Sequence, residues 1–201
     1  VLKRFKGQFD PQKLYMANMG IYLFKREVLT EMLKDLTQVD FGREVMPANI
    51  ERFKMVAYPF SGYWEDIGTI KAFYDANMAL TERPPLFNFF DPSAPIYTRP
   101  RFLPPTKFEH CHIDHSLVCE GCFLERCEIK RCLLSDRSVV REGAVLRDVF
   151  MMGSDLMEDR EMRQENRQKK RPDIGVGAGT VIERAIIDKG GFVRAIRATK
   201  V

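Results

Sequence analysis

The sequence predicts an α/β chain in two parts: strands and helices mixed in its first half, and a left-handed parallel β-helix of hexapeptide repeats in its second. Three observations carry this. Aromatic and β-favouring runs alternate with amphipathic helical patterns up to about residue 85. A proline-rich stretch then interrupts both periodicities. Beyond residue 108 a small residue recurs every five or six positions, each followed two places later by an aliphatic one. The expected organisation is an α/β segment over 1–85, a linker over 86–108 and a β-helix over 109–201 with a charged insertion at 153–172.

In the first half, residues 15–24 (YMANMGIYLF) read as a strand interrupted near Gly20. Val28, Leu29, Met32, Leu33 and Leu36 fall on one face of a helix. Asp40 stands where an N-cap belongs, ahead of FGREVMPANIERF, and Pro47 limits or kinks that helix. MVAYPF at 55–60 reads as a second strand, and SGYWEDIGT as the loop or strand end after it. Thr69 caps a helix expected to reach about Thr81, with Ile70, Phe73, Tyr74 and Met78 on one side. Pro84, Pro85, Pro92, Pro95, Pro100, Pro104 and Pro105 then fix an extended connector.

The repeat places small residues at Cys111, Ser116, Cys122, Cys127, Cys132, Ser138 and Ala144. Two residues after each lies Ile113, Val118, Leu124, Ile129, Leu134, Val140 or Leu146. In a three-sided solenoid the small residue fits beside a corner and the aliphatic one points inward, while Glu128, Lys130 and Arg131 face water. The rhythm resumes at Thr180/Ile182 and Ala185/Ile187. The interruption, GSDLMEDREMRQENRQKKRP, reads as a loop or short exposed helix, with Asp159 and Arg163 at helical pair spacing. GVGAG at 175–179 lies inside the repeat and reads as coil corners.

This accounts for the five cysteines. Four sit in small-residue slots as compact hydrophobes, and only Cys119 is off the pattern. Cys119 and Cys122 form a C-x-x-C without a matching second pair, so zinc is disfavoured. The cysteine usage suggests a reducing compartment, hence the cytoplasm, or a plastid if the source is a plant. A net charge of +4 with mixed signs and no basic–aromatic cluster argues against nucleic acid. No apolar run is long enough to span a membrane.

The phrases MANMGIYLF, DFGREVMP, GYWEDIGTIKAFYDANMAL, PIYTRPRFLPP and IGVGAGTVIERAIIDK resemble the glucose-1-phosphate adenylyltransferase (ADP-glucose pyrophosphorylase) family, in particular its cyanobacterial and plant-like branch. The resemblance covers about residues 10 to 190, as the end of a Rossmann-like nucleotidyltransferase domain and its β-helix. It implies transfer of the adenylyl group of ATP to α-D-glucose 1-phosphate, giving ADP-glucose and pyrophosphate for glycogen or starch synthesis. Asp66 matches the family's catalytic aspartate that ligates Mg²⁺, and a hard cation on phosphates needs such oxygen donors. Asn18 and Gly20 match its sugar-binding segment, where the family usually has Ser at the position of Asn18. Trp64 is either a wall of the sugar pocket or plain core. Lys189 resembles the lysine that binds a phosphorylated activator, typically 3-phosphoglycerate. Arg99 and Arg101 suit phosphate by guanidinium geometry, with a surface salt bridge as the plainer alternative. Family analogy implies a homotetramer.

The family's glycine-rich ATP loop and its glucose 1-phosphate lysine segment have no counterpart here; Lys3 and Lys6 cannot be equated with that lysine. The tail GGFVRAIRATKV also departs from the family's continuation. Starting at Val1, the sequence reads as a fragment expected to be inactive alone. Other readings are a guanylyl- or uridylyl-transferring pyrophosphorylase, a hexapeptide acyltransferase using His110, His112 or His115, and a non-catalytic regulatory or assembly module.

Overall fold

A computed structural model describes residues 16–89 and 91–193, and the backbone of 197–199. Lys3, Lys6 and part of the tail lie outside the described residues. The chain forms two compact units, Val1–Gly62 and Tyr63–Val201. Sequence punctuation places the boundary later, at 85; the unit boundary falls earlier because the helix before the linker packs on the β-helix.

In the first unit, α1 (Arg26–Met32) buries Met32 and stops short of the expected end. Asp35 takes over there: its Oδ1 accepts from the backbone N–H of Thr37 at 3.0 Å, and its Oδ2 from Gln38. Such local bonds compete with helix continuation, and Leu36 is left exposed. Asp40 is the N-cap expected, its Oδ1 accepting from Arg43 N at 2.9 Å. Glu44 reciprocates, accepting from Val39 N and Asp40 N. The turn that follows, Phe41–Val45, is widened to a π-helical turn and runs into α2 (Met46–Asn49). Pro47 has no N–H to donate and its ring crowds the preceding turn, which the widening relieves.

Residues 16–25 and 53–62 hold no strand, so the two strands expected at 15–24 and 55–60 are not formed among the described residues. Their sequence alternates as a strand would. Tyr22 and Phe24 gather around Phe41, with ring centroids 5.8 and 5.9 Å from it, whereas Ile21 and Leu23 are exposed. A strand is defined by its ladder, and no described segment supplies these with one.

The second unit is a three-sided parallel β-helix. Its strands are β1 (Lys107–Glu109), β2 (His112–Asp114), β3 (Leu117–Val118), β4 (Phe123–Glu125), β5 (Glu128–Lys130), β6 (Leu133–Leu134), β7 (Val139–Val140) and β8 (Val145–Met151). After the insertion come β9 (Gly175–Val176), β10 (Val181–Ile187), β11 (Phe192–Val193) and β12 (Arg197–Thr199). One side stacks β1-β4-β7-β9-β11 and the next β2-β5-β8-β10-β12, all parallel. The third stacks β3, β6 and the second halves of β8 and β10. Lys107 pairs with Phe123 and Leu133 with Phe150, so a coil takes 16 or 17 residues; Val145 pairs with Val181 across the insertion.

The small-then-aliphatic rhythm is the core. Leu124, Ile129, Leu134, Val140 and Leu146 are fully enclosed, and Ile113 and Val118 pack against them from the first coil. Two further pairs escape a search for small residues: Val149/Met151, and Ile174/Val176 just after the insertion, where a bulkier side chain takes the slot. The residue before nearly every slot turns the corner with positive φ, as at His110, His115, Arg126, Arg131, Arg137, Asp148 and Arg184; Asp173, before Ile174, does not. Gly121, Gly143 and Gly179 do the same; in GVGAG, Gly179 is a corner and Gly175 begins β9.

Helix α3 (Ile70–Ala79) is capped by Thr69, whose Oγ1 accepts from Ala72 N at 3.1 Å. Phe73, Tyr74 and Met78 pack on Leu133 and Phe150 of the third side. Tyr74 Oη donates to the corner carbonyl of Asp148 at 2.6 Å, and Arg131 bridges Glu82 and Asp148 at 2.6 and 2.7 Å. Ile70, placed on the same face by periodicity, is exposed instead, because it sits in the first turn beyond the docking surface. The insertion carries α4 (Arg160–Gln168), capped by Asp159, whose Oδ1 accepts from Met162 N at 2.8 Å. Buried Glu158 anchors it, accepting from Asn166 Nδ2 at 2.6 Å with Arg141 4.0 Å away.

Candidate functional site

The β-helix carries a cleft along one prism edge, produced by the repeat itself. After the third strand of each coil the chain leaves the sheet at an equivalent rung. Cys119 N donates to Leu134 O, Ser135 N to Met151 O and Met152 N to Ile187 O, each at 2.9 Å. Stacked rungs bring Cys119, Ser135 and Met152 into line, and Lys189 stands one residue past the equivalent position. With Arg101 from the incoming linker, and Asp136, Phe150, Ser154 and Asp155, they line a cavity of ≈ 330 Å³.

Two cations and two carboxylates face each other there. Arg101 Nη1 lies 2.9 Å from Asp136 Oδ2, and Lys189 Nζ 2.5 Å from Asp155 Oδ1. Arg137, at the adjoining corner, donates to Ser154 O at 3.2 Å. The hydrogen bond from Lys189, then the charges of Lys189, Arg137 and Arg101, hold the Asp155 carboxyl below its ordinary range. Burial, reinforced by Asp136, pushes the Cys119 thiol up to about 11, so it stays neutral in the cleft.

Sequence reading named Arg101 and Lys189 separately; the fold brings them together. It does not bring Arg99, which is exposed and absent from the lining. Asp136, Ser154 and Asp155 were missed as cleft residues. Their signal lies in the coil length: counting 16 or 17 residues from Cys119 reaches Ser135 and Met152, and the same stacked edge continues at Asp188 beyond the insertion.

The other candidates occupy exposed loops. Asp66 stands in a loop ahead of α3 rather than on a sheet, and it does not line the β-helix cleft. Its Oδ1 accepts from Gly68 N at 3.1 Å, which leaves Oδ2 open. One or two carboxylates beside phosphate and water oxygens make an ordinary Mg²⁺ shell, so an exposed carboxylate with a free oxygen fits that role. Among the described residues no group of three or more His, Cys, Asp or Glu could hold a metal by itself. Trp64 is 40% exposed.

In the first unit, Asn18 Oδ1 accepts from Gly20 N at 2.8 Å and its Nδ2 donates to Tyr22 Oη at 2.7 Å. Gly20 has φ +76° and nothing stands within 4 Å of an added Cβ, so backbone conformation and not space calls for glycine. Asn18 thus shapes the turn with both ends of its amide. His110 and His115 are corner residues, and His115 is bound to Asp114 at 2.7 Å. These positions give two of the three histidines a structural role.

Comparison with known families divides the chain in the same order. Residues 9–83 match the nucleotidyl transferase model. Residues 101–195 match the GLGC left-handed parallel β-helix domain, which fixes the hand of the solenoid. Among the described residues no helix is long and apolar enough to cross a membrane. A nucleotidyl transferase segment followed by this β-helix domain is the domain architecture of glucose-1-phosphate adenylyltransferase, a sugar-nucleotide pyrophosphorylase.

Proposed function

We propose that the chain is part of an enzyme that transfers the adenylyl group of ATP to α-D-glucose 1-phosphate, forming ADP-glucose and pyrophosphate for glycogen or starch synthesis. The observation that carries this reading is the order of the two matched domains, since the β-helix type narrows a broad transferase class. Asp66 is the residue offered to Mg²⁺, through the oxygen that Gly68 leaves free. The ion supplies charge neutralisation between the two phosphate-bearing substrates when bound. Trp64, two residues earlier and 40% exposed, is offered as a wall of the sugar pocket; Asn18 and Gly20, in the first unit, are carried over from the resemblance as sugar-binding residues. The cleft at Arg101 and Lys189 is the site of a phosphorylated effector, with both cations at its rim.

The test compares this 201-residue polypeptide with one in which a glycine-rich nucleotide-binding half precedes it. Each is assayed with ATP, GTP and UTP. The expected result is no turnover by the short form and ADP-glucose from ATP by the completed form. Asp66→Asn in the completed form should lower that rate by at least about 10²-fold. A UDP- or GDP-sugar as main product overturns the adenylyl reading. Turnover by the short form overturns the need for the other half.

A second reading, a regulatory module without turnover, is favoured by one observation: the cleft is built entirely from Arg101 onward. Calorimetry with 3-phosphoglycerate and the short form tests it, because a module binds effector without any catalytic partner.

A further inference from the structure

We propose that Asp155 is a built-in competitor in the β-helix cleft, and that a phosphate-class anion binds there by exchanging with the Asp155 carboxylate on Lys189. This rests on the reading of the cleft as an anion site and adds how its affinity is set.

The cleft is balanced without a ligand. Lys189 Nζ already has a carboxylate oxygen at 2.5 Å, and Arg101 has one at 2.9 Å. An incoming anion therefore meets satisfied cations and two negative charges, and must displace a partner before it gains one. The two carboxylates are not equally displaceable. The Asp136 side chain is 24% exposed, that of Asp155 74%. Asp136 belongs to a corner whose backbone is bonded on both sides: Arg137 N donates to Glu120 O, and Ser154 N to Asp136 O. Asp155 stands on a bend just past buried Ser154, so its carboxylate can swing into water while the backbone beneath stays bonded. Gly190 N donating to Gly153 O at 2.8 Å ties Lys189's own turn to that rung, so Lys189 does not follow.

The geometry also favours phosphate as the replacement. A phosphoryl group carries more charge than a carboxylate and has three strong acceptor oxygens. Lys189 touches Asp155, Arg101 lines the same cavity, and Arg137 donates to the carbonyl of the preceding residue, Ser154, so three cations stand near the Asp155 position. A cavity of ≈ 330 Å³ suits a small phosphorylated molecule.

An exposed ion pair of this kind lowers the affinity of a competing anion by about two- to fivefold. The experiment is isothermal titration of the 201-residue chain with inorganic phosphate at fixed low ionic strength. Four proteins are compared: wild type, Asp155→Asn, Lys189→Gln, and Asp75→Asn as a control for net charge outside the cleft lining. Asp155→Asn should bind phosphate about two- to fivefold more tightly. Lys189→Gln should bind at least about fivefold more weakly, and Asp75→Asn should match wild type. Asp155→Ser, which shortens the side chain, should follow Asp155→Asn and replaces it if that variant does not fold. Unchanged or weaker binding by Asp155→Asn, with binding still lost in Lys189→Gln, overturns the exchange and leaves the anion site standing. An equal gain in Asp75→Asn overturns it too, as a bulk charge effect. Failure of wild type to bind, or of Lys189→Gln to weaken binding, overturns the reading of the cleft itself.

Discussion

Replacing Ile129 by alanine should test the solenoid core at its centre. Ile129 is fully enclosed and stacked in one column, with Ile113 on the coil before and Leu146 on the coil after. Truncation removes three carbon atoms from a position that both neighbours hold in place, so the cavity cannot collapse from one side. Buried Ile→Ala changes cost about 2–5 kcal/mol, and a site clamped on two sides belongs above the middle, at about 4 kcal/mol. With a urea dependence of about 2 kcal/mol per M, the midpoint falls by about 2 M. Ile113→Ala, in the first coil and only partly buried, should cost less, about 2 kcal/mol. Lys130→Ala, the outward neighbour, should lie within about 0.5 kcal/mol of wild type. Urea unfolding followed by far-ultraviolet circular dichroism measures all three. If Ile129→Ala moved the midpoint no more than Lys130→Ala, the inward column would be wrong and the assignment of the repeat with it.

Three further outcomes follow from single contacts. Gly153→Ala puts a Cβ 2.2 Å from Asp136 O at a φ of +75°, so it should destabilise by more than about 2 kcal/mol and weaken phosphate binding at the cleft; thermal melts and calorimetry check both halves. Tyr74→Phe removes the bond to Asp148 O and should cost about 1 kcal/mol in urea unfolding, without altering phosphate affinity. Burial pushes the Cys132 thiol up to about 11 and the Cys127 thiol to about 12. The unfolded chain ionises these thiols near 9, so between pH 9 and 12 it binds fewer protons than the folded chain. Stability should therefore be full below pH 9 and fall as pH rises; a melting temperature flat from pH 8.5 to 11 would contradict the burial of these thiols.

The β-helix was legible because its code is local and redundant: Leu124, Ile129 and Leu134 each announce themselves two places after a small residue. Caps were legible for the same reason, and Asp40 and Thr69 each bind the backbone N–H three residues on. Residues 16–24 show the limit. Their alternation is real, with Tyr22 and Phe24 on one side and Ile21 and Leu23 on the other, but a strand needs a partner that local pattern does not provide. The early end of α1 was hidden in Asp35, whose short carboxylate competes for backbone donors that hydrophobic periodicity ignores. The cleft was half legible. Arg101 and Lys189 stand out by chemistry, whereas Asp136 and Asp155 are ordinary surface carboxylates until the stack sets them opposite cations.

Columns constrain this solenoid more tightly than its period does. Cys111, Cys127, Ala144 and Thr180 occupy one column, because the strands just after them pair in that register. Size alone would let alanine serve throughout, yet the slots are rich in weak donors. Ser116 Oγ donates to Asp114 O at 2.8 Å, Cys132 Sγ to Lys130 O at 3.2 Å, Cys122 Sγ to Ser135 O at 3.3 Å and Ser138 Oγ to Ser135 O at 2.6 Å. A coil corner turns carbonyls toward the interior, and a small thiol or hydroxyl gives them a partner without enlarging the slot. Cysteine suits this place because its thiol is apolar enough to be buried and still donates. Val149 is the exception, taking its slot without a side-chain donor at the corner that Asp148 turns within β8. Four of the five cysteines over 111–132 are thus a consequence of coil corners stacked one above another, and Cys119 alone stands outside that rule.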